Sequence, residues 1–433
     1  MMRRDRMATR VADVSETPLI RYSRWALAVT VACMPLYVVR YRVGPIPTTV
    51  LENLVLITIA LYAVGRYQTR EWHPARTSLE IPIAVLLIAG IVGIAISPDH
   101  LGALGIYRAY FIEPVVLFYI AIDLMRTREQ FRVLLLGFAI GATIFALMNL
   151  GAWAIALGSH HVIATGDAPE ALYTSPNAVA MFLEPPLAIA AGFGLYADNG
   201  RDRRIAIACL VFIVAAVIFT LSRAGLLTLT VLAVVAVITM PQKRLKVALL
   251  GGAVLGAIAV LQIPYVQTRF FRQLDPTYNQ NTFEGRLQIW SDTLHMLRDH
   301  PIFGAGLRSY TQVVTPYVTQ RFNAQLHPHD LWLAMWSEVG LLGMLAFAAM
   351  LAILLWKGWR GFAAAGGLYR AVLWGTSAGF VAVLVHGIFD TPYFKNDLSL
   401  EFWTLAALEV AALAVLAPKE RPENRAFSVR RDT

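Results

Sequence analysis

The chain is poor in charge and nearly devoid of cysteine. Only 15% of its 433 residues are Asp, Glu, Lys or Arg. A soluble domain of this length would need a far larger charged surface, so the shortage excludes an ordinary globular protein. The two cysteines, Cys33 and Cys209, both lie inside apolar runs. They read as small buried hydrophobes, and no disulfide or thiolate–metal framework is implied. A small-residue cleavage site is also missing. The basic start runs directly into a full-length apolar segment, and no cleavable signal peptide is expected. No internal repeat is visible. What the chain has instead is apolar mass, at 57% of residues and a mean hydropathy of +0.57. Those values predict an all-α polytopic membrane protein.

Segments of roughly 17–25 apolar residues can cross a bilayer as helices. About twelve such segments are predicted, near 25–40, 45–64, 79–96, 103–124, 131–157, 176–197, 205–221, 223–240, 245–263, 331–356, 371–389 and 398–417. The implied organisation is an N-terminal bundle over 1–263 with about nine spans and a long polar loop over 264–330. C-terminal spans over 331–417 and a short tail over 418–433 complete it. Both termini then share one side of the membrane and the loop lies on the other. Of the 37 Lys and Arg residues, 26 fall on the side of the termini. By the bias of basic residues toward the cytoplasm, the termini are cytoplasmic and the loop faces outward. The net charge of +9 is largely this topogenic bias and implies no nucleic-acid partner.

The 11 basic residues on the outer side are not explained by topology. Ten are arginine, and six of the 11 lie in the long loop. Arginine's planar fork pairs bidentately with phosphate oxygens, whereas lysine acts as a point charge. Arg223, in Ser222-Arg223-Ala224-Gly225, sits between two apolar runs with almost no room for a loop. An arginine at such a boundary is costly unless it is paired, faces a watery cavity or snorkels to the interface. Arg286 opens a stretch in which Leu287, Trp290, Leu294 and Leu297 recur at helical spacing. That pattern predicts an amphipathic helix on the bundle or membrane surface. Its N-terminal dipole would add to the guanidinium in favouring an anion. Arg308 follows Gly304 and Gly306, which read as structural turn formers. For any one of these arginines, ordinary solvation or ion pairing is the bland alternative.

Histidine supplies the remaining chemistry, because its unperturbed pKa lies near neutrality. His327-Pro328-His329-Asp330 closes the loop immediately before a predicted span, which puts two imidazoles at the membrane–water interface. Asp330 is the expected N-cap of that span and could also orient His329. A metal site built from His327, His329, His386 and Asp390 is conceivable on residue type, but its spacing matches no strong ligand pattern, and none is expected. Glu184 and Glu338 are carboxylates inside spans, where such groups usually face the bundle interior and pair. Nine residues at helical pitch turn Glu338 about half a turn from His329, so a structural ion pair is expected for it. Pro176 and Asn177 read as the start of a helix, with sugar contact as the lesser alternative.

These residues resemble the O-antigen ligase and polymerase superfamily of bacterial envelope glycosyltransferases. His329, Asp330, nine residues, Gly340, Gly343 and Met344 match the spacing of the ligase motif, with Asp330 and Met344 departing from type. Ser222-Arg223 with Gly225, Gly285-Arg286 with Trp290, and Ser175 to Ala180 are similar to other recurrent family segments. The resemblance implies a GT-C-like membrane fold in the bacterial inner membrane with its active site at the periplasmic face. It implies transfer of O-antigen from undecaprenyl diphosphate to lipid A-core oligosaccharide, inverting and without metal or other cofactor. His329 would be the general base, and Arg223 and Arg286 would stabilise the departing diphosphate. Arg308, His327 and Asp330 are further substrate-binding candidates. O-antigen polymerase is the near alternative. A polytopic transporter is the alternative from another class, although inverted repeats and midplane helix breaks are not evident.

Overall fold

The computed structural model describes residues 17–44, 46–70, 76–159, 168–240, 242–243, 246–247, 251–252, 256, 262, 282–319 and 327–417. These residues form thirteen helices: α1 (Pro18–Ala32), α2 (Val50–Thr69), α3 (Glu80–Ile96), α4 (His100–Leu124), α5 (Arg128–Gly158), α6 (Pro176–Tyr196) and α7 (Gly200–Phe219), then α8 (Arg223–Thr239), α9 (Thr282–Asp299), α10 (Tyr310–Val314), α11 (Leu331–Ala364), α12 (Gly367–His386) and α13 (Asn396–Leu416). Seven of them, α2, α4, α5, α6, α11, α12 and α13, are long and apolar enough to cross a membrane, and α3 and α8 are shorter apolar helices. The architecture is that of a multi-pass membrane protein. Ten of the predicted segments coincide with a helix, and the first overlaps one only in part. The segment expected over 245–263, the loop over 264–281 and the tail over 418–433 lie at least mostly outside the described residues.

The first predicted span is displaced. Helix α1 ends at Ala32, and the chain continues through a 3-10 turn into an antiparallel hairpin, β1 (Arg40–Val43) against β2 (Ile46–Thr49). Val39, Tyr41 and Val43 are β-formers interleaved with arginine, a period-2 pattern that hydropathy averaging hides. The hairpin delivers Thr49, whose hydroxyl caps α2 through the Glu52 amide at 3.0 Å. Asp123 gathers Arg66, Arg126 and Tyr62, so part of the basic charge that the sequence assigns to the side of the termini is paired.

Small residues bring the central helices together, the usual means of helix association where no water is expelled. A Cβ on Gly192 of α6 would meet the Ala371 carbonyl at 2.5 Å, and one on Gly375 of α12 would meet Ile189 Cα at 2.7 Å. The two backbones therefore touch. Within α4, a π-helical turn covers Arg108–Ile112, just before Pro114. Proline lacks the N–H that would bond the Tyr110 carbonyl, and the Tyr393 hydroxyl takes that carbonyl instead at 2.9 Å.

Helix α11 is broken at Gly340, where φ is 72° and ψ is 175°. The break frees backbone groups that the segment after α9 occupies. The Ser337 carbonyl accepts from the Ala305 amide at 2.7 Å and the Gly306 amide at 3.1 Å, while the Leu341 amide donates to the Ile302 carbonyl at 2.9 Å. Gly304 and Gly306 both adopt positive φ, as that close docking requires. The amphipathic helix expected around Arg286 is present as α9, with a rotated packing face. Ile289, Thr293, Met296 and Leu297 are buried, whereas Leu287 and Leu294 face outward. Spacing alone could not say which of two apolar stripes packs against protein.

Candidate active site

Five helix ends meet in three arms on one face of the bundle: the starts of α6, α8, α9 and α11 and the end of α12. Pro176 starts α6 with the φ that a first helical turn needs, and Asn177 follows it. The Asn177 amide donates to Asp390 Oδ2 at 3.3 Å, and its Oδ1 accepts the Ser222 hydroxyl at 2.7 Å. Ser222 is the N-cap of α8, its Oγ accepting the Gly225 amide at 3.1 Å. Arg223 is thereby fixed as the first residue of that helix, with its side chain exposed.

The second arm is the corner between α12 and α13. The His386 carbonyl accepts the Asp390 amide at 3.1 Å, and the Gly387 carbonyl accepts the Leu331 amide at 2.7 Å. The corner is thus bonded to the start of α11. Asp330 caps that helix, its Oδ1 accepting the Leu333 amide at 2.8 Å. His329, one residue earlier, is held at φ 50°. A non-glycine residue in the left-handed region carries a backbone cost that the surrounding bonds must offset. Its Nδ1 lies 3.5 Å from Asp390 Oδ1, within ion-pairing reach, and its ring meets that of His327 edge-on at 4.3 Å. The third arm is α9, whose Arg286 guanidinium lies 5.9 Å from the Phe389 ring centre, beside Asp390.

Electrostatics follow from this crowding. Burial pushes the His327 imidazole down to about 4, with the neighbouring His329 adding to the effect, so His327 is neutral at physiological pH. Burial alone would raise the Asp390 carboxyl, but the facing His329, with His327 and His386 behind it, holds it well below the usual carboxylate range. Burial lowers the Arg286 guanidinium, and Asp390 opposes that shift. Burial raises Asp330, against the Leu333 and Trp332 amides.

The sequence-predicted residues divide into two groups. Arg286, His327 and His329 come together around Asp390 with Asp330 beside them, and Arg223 is joined to them through the Ser222–Asn177–Asp390 contacts of its neighbour. Arg308 does not join them: its guanidinium pairs with Asp99 at 3.4 Å, and its amide donates to Glu338 Oε2 at 2.6 Å, at the corner between α3 and α4. Glu338 therefore holds a backbone amide, not the side-chain ion pair expected of it. Asp390 and Asn177 are the residues whose roles sequence reasoning missed. The signal was slight, an aspartate four residues beyond a histidine at a helix end.

The donor atoms of His327, His329 and Asp390 all lie within 4.8 Å of one another, a spacing a metal ion would accept. The surroundings argue otherwise. Arg286 and Lys395 both act on His327 electrostatically, and the Nδ1 of His386 is committed to Glu184 at 2.8 Å. Two cations beside the cluster suit an anionic guest better than a third cation.

Residues 208–348 match the family model described as O-antigen ligase. The resemblance to that superfamily read from the motifs is borne out over this stretch, which contains Arg223, Arg286, Arg308, His327, His329, Asp330, Gly340 and Gly343. No curated protein matches the chain.

Proposed function

We propose that this chain, carrying an O-antigen ligase domain over 208–348, is the ligase that moves O-antigen from undecaprenyl diphosphate to lipid A-core oligosaccharide. One observation supports the reading above others. Ser222, Asn177, Asp390 and His329 form a continuous line of polar contacts joining the arginine-bearing helix to the histidine. A base and an anion clamp so linked suit a reaction that deprotonates a hydroxyl and expels a diphosphate.

In the proposed step the acceptor hydroxyl oxygen attacks the anomeric carbon of the donor from the face opposite the diphosphate. The carbon–oxygen bond to phosphate breaks, the leaving diphosphate keeps the electron pair, and the anomeric configuration inverts. His329 takes the hydroxyl proton on Nε2, a contribution of roughly 10²–10⁴-fold. Asp390, at Nδ1, holds the tautomer that leaves Nε2 free and stabilises the imidazolium that forms. Arg223 and Arg286 neutralise the charge developing on the diphosphate, the contribution that usually dominates such catalysis. The two arginines supply what a divalent cation would otherwise supply, so transfer is expected to persist in excess chelator. His327 and Asp330 line the same site, and Arg308 is assigned to a more distant part of the substrate. In this reading the chain sits in the bacterial inner membrane, termini in the cytoplasm and site at the periplasmic face.

Deletion in the host followed by lipopolysaccharide gels tests the reading. A ligase deletion leaves bare lipid A-core with long chains still on the polyprenyl carrier. Cores capped by a single repeat would instead identify a polymerase.

A further inference from the structure

Below the site, two ionisable side chains that the transfer step does not use are sealed inside the bundle. Glu184 of α6 and His386 of α12 are 1% and 0% exposed, and Glu184 Oε1 lies 2.8 Å from His386 Nδ1. The Thr228 hydroxyl on α8, which donates to the Ala224 carbonyl at 2.9 Å, also acts on the Glu184 carboxylate. A Cβ built on Gly225, in the first turn of α8, would sit 3.5 Å from the same carboxylate oxygen. One side chain therefore touches both the helix that begins with Arg223 and the residue that ends the helix below Asp390.

The upper layer repeats this pattern. Asn177, also on α6, bonds Ser222 at the start of α8 and Asp390 just beyond α12. Asn177 and Glu184 are seven residues apart, two turns of helix, so they lie on the same face of α6 about 10 Å apart along its axis. Helices α6 and α8 run in parallel, and α12 runs against them. Ser222 and Thr228 descend in step with Asn177 and Glu184, while Asp390 and His386 descend in reverse chain order. Helix α6 is thus a post with two crossbars, each reaching both arms of the site. The lower crossbar is out of reach of any substrate.

We propose that Glu184 and His386 are positioning residues, a buried brace that sets the separation between Arg223 and the Asp390–His329 pair. The inference rests on the ligase reading for its kinetic consequence but not for its structural one. Reacting groups displaced by about 1 Å lose on the order of 10²-fold in rate. A buried ion pair is weak support for stability, since apolar residues of similar volume often replace one without loss. The brace is therefore assigned to geometry.

The test replaces both partners together, Glu184→Met with His386→Leu, which removes the polar tie without leaving an unpaired charge. Spin labels placed at the exposed positions Leu227 and Ile388 report the separation of α8 from the corner without any substrate. The double variant should keep its melting temperature, lose about 10- to 100-fold in kcat with donor KM within threefold, and show a widened label-distance distribution. Thr228→Val, which removes from α8 the hydroxyl that acts on Glu184, should widen the distribution and lower kcat three- to tenfold. Wild-type kcat in either variant would overturn the proposal. So would lost turnover with an unchanged distance distribution, which would mean that the pair acts chemically. If the native chain transferred no glycan from polyprenyl diphosphate, the ligase reading would fall, yet the label distances would still decide the brace.

Discussion

Replacing Asp390 by asparagine isolates the charge facing His329 while keeping the side chain's shape. The Asp390 carboxylate is 5% exposed, accepts the Thr391 amide at 2.9 Å through Oδ1 and the Asn177 amide at 3.3 Å through Oδ2, and faces His329 Nδ1 at 3.5 Å. An asparagine can keep one of these bonds but presents an NH₂ group to a second partner. If that group turns toward His329, it donates to Nδ1 and drives the proton to Nε2, where the acceptor hydroxyl needs a lone pair. The imidazolium would also lose its counter-charge. General-base catalysis is worth roughly 10²–10⁴-fold, and a wrong tautomer forfeits most of it. We expect kcat to fall about 10²- to 10³-fold, or about 3–4 kcal/mol at 1.36 kcal/mol per tenfold. The assay is transfer of a polyprenyl-diphosphate-linked glycan to lipid A-core by purified protein, with kcat and donor KM measured separately. Donor KM should stay within threefold, because Arg223 and Arg286 are untouched. A variant within threefold of wild-type kcat would refute the orienting role, leaving His329 to act alone or not at all.

Three further outcomes follow from the same geometry. Arg223→Ala and Arg286→Ala should each nearly abolish transfer in the same assay, and the lysine variants should restore only a minor part, since an ammonium cannot make the bidentate contact. His327 stays neutral in the folded chain down to about pH 4, whereas an unfolded histidine takes a proton below about 6.5. Stability is therefore full above pH 6.5 and is lost as pH falls toward 4, by at most roughly 3 kcal/mol. Melting curves in detergent at pH 7 and pH 5 should differ less in His327→Gln than in the native protein. Gly340→Ala forces a Cβ to 2.6 Å from the Ile302 carbonyl at positive φ. It should cost about 1–2 kcal/mol or more, read as a lower melting temperature together with lost activity.

The membrane helices were legible because apolar run length and charge bias act locally, and α2 to α8 and α11 to α13 fall where hydropathy puts them. The hairpin after α1 was hidden because its alternation is averaged away in a window wide enough to find spans. His329, Arg223 and Arg286 were legible from residue type at an interface and from motif spacing. Asp390 was not, because the corner that brings it to His329 is set by bonds between Leu331 and Gly387, 56 positions apart in the chain. Arg308 looked equivalent to the other loop arginines. The break at Gly340 sends its loop to Asp99 instead, a consequence of backbone geometry that no residue pattern reveals. Glu184 was visibly an intramembrane carboxylate, but its partner lies 202 residues away.

The proposed transfer depends on His329 removing the acceptor proton. The most direct measurement compares donor binding with turnover in His329→Ala, using purified protein and a polyprenyl-diphosphate-linked glycan. Donor affinity should stay within threefold of the native protein while turnover falls at least about 100-fold. Near-native turnover with binding intact would contradict it.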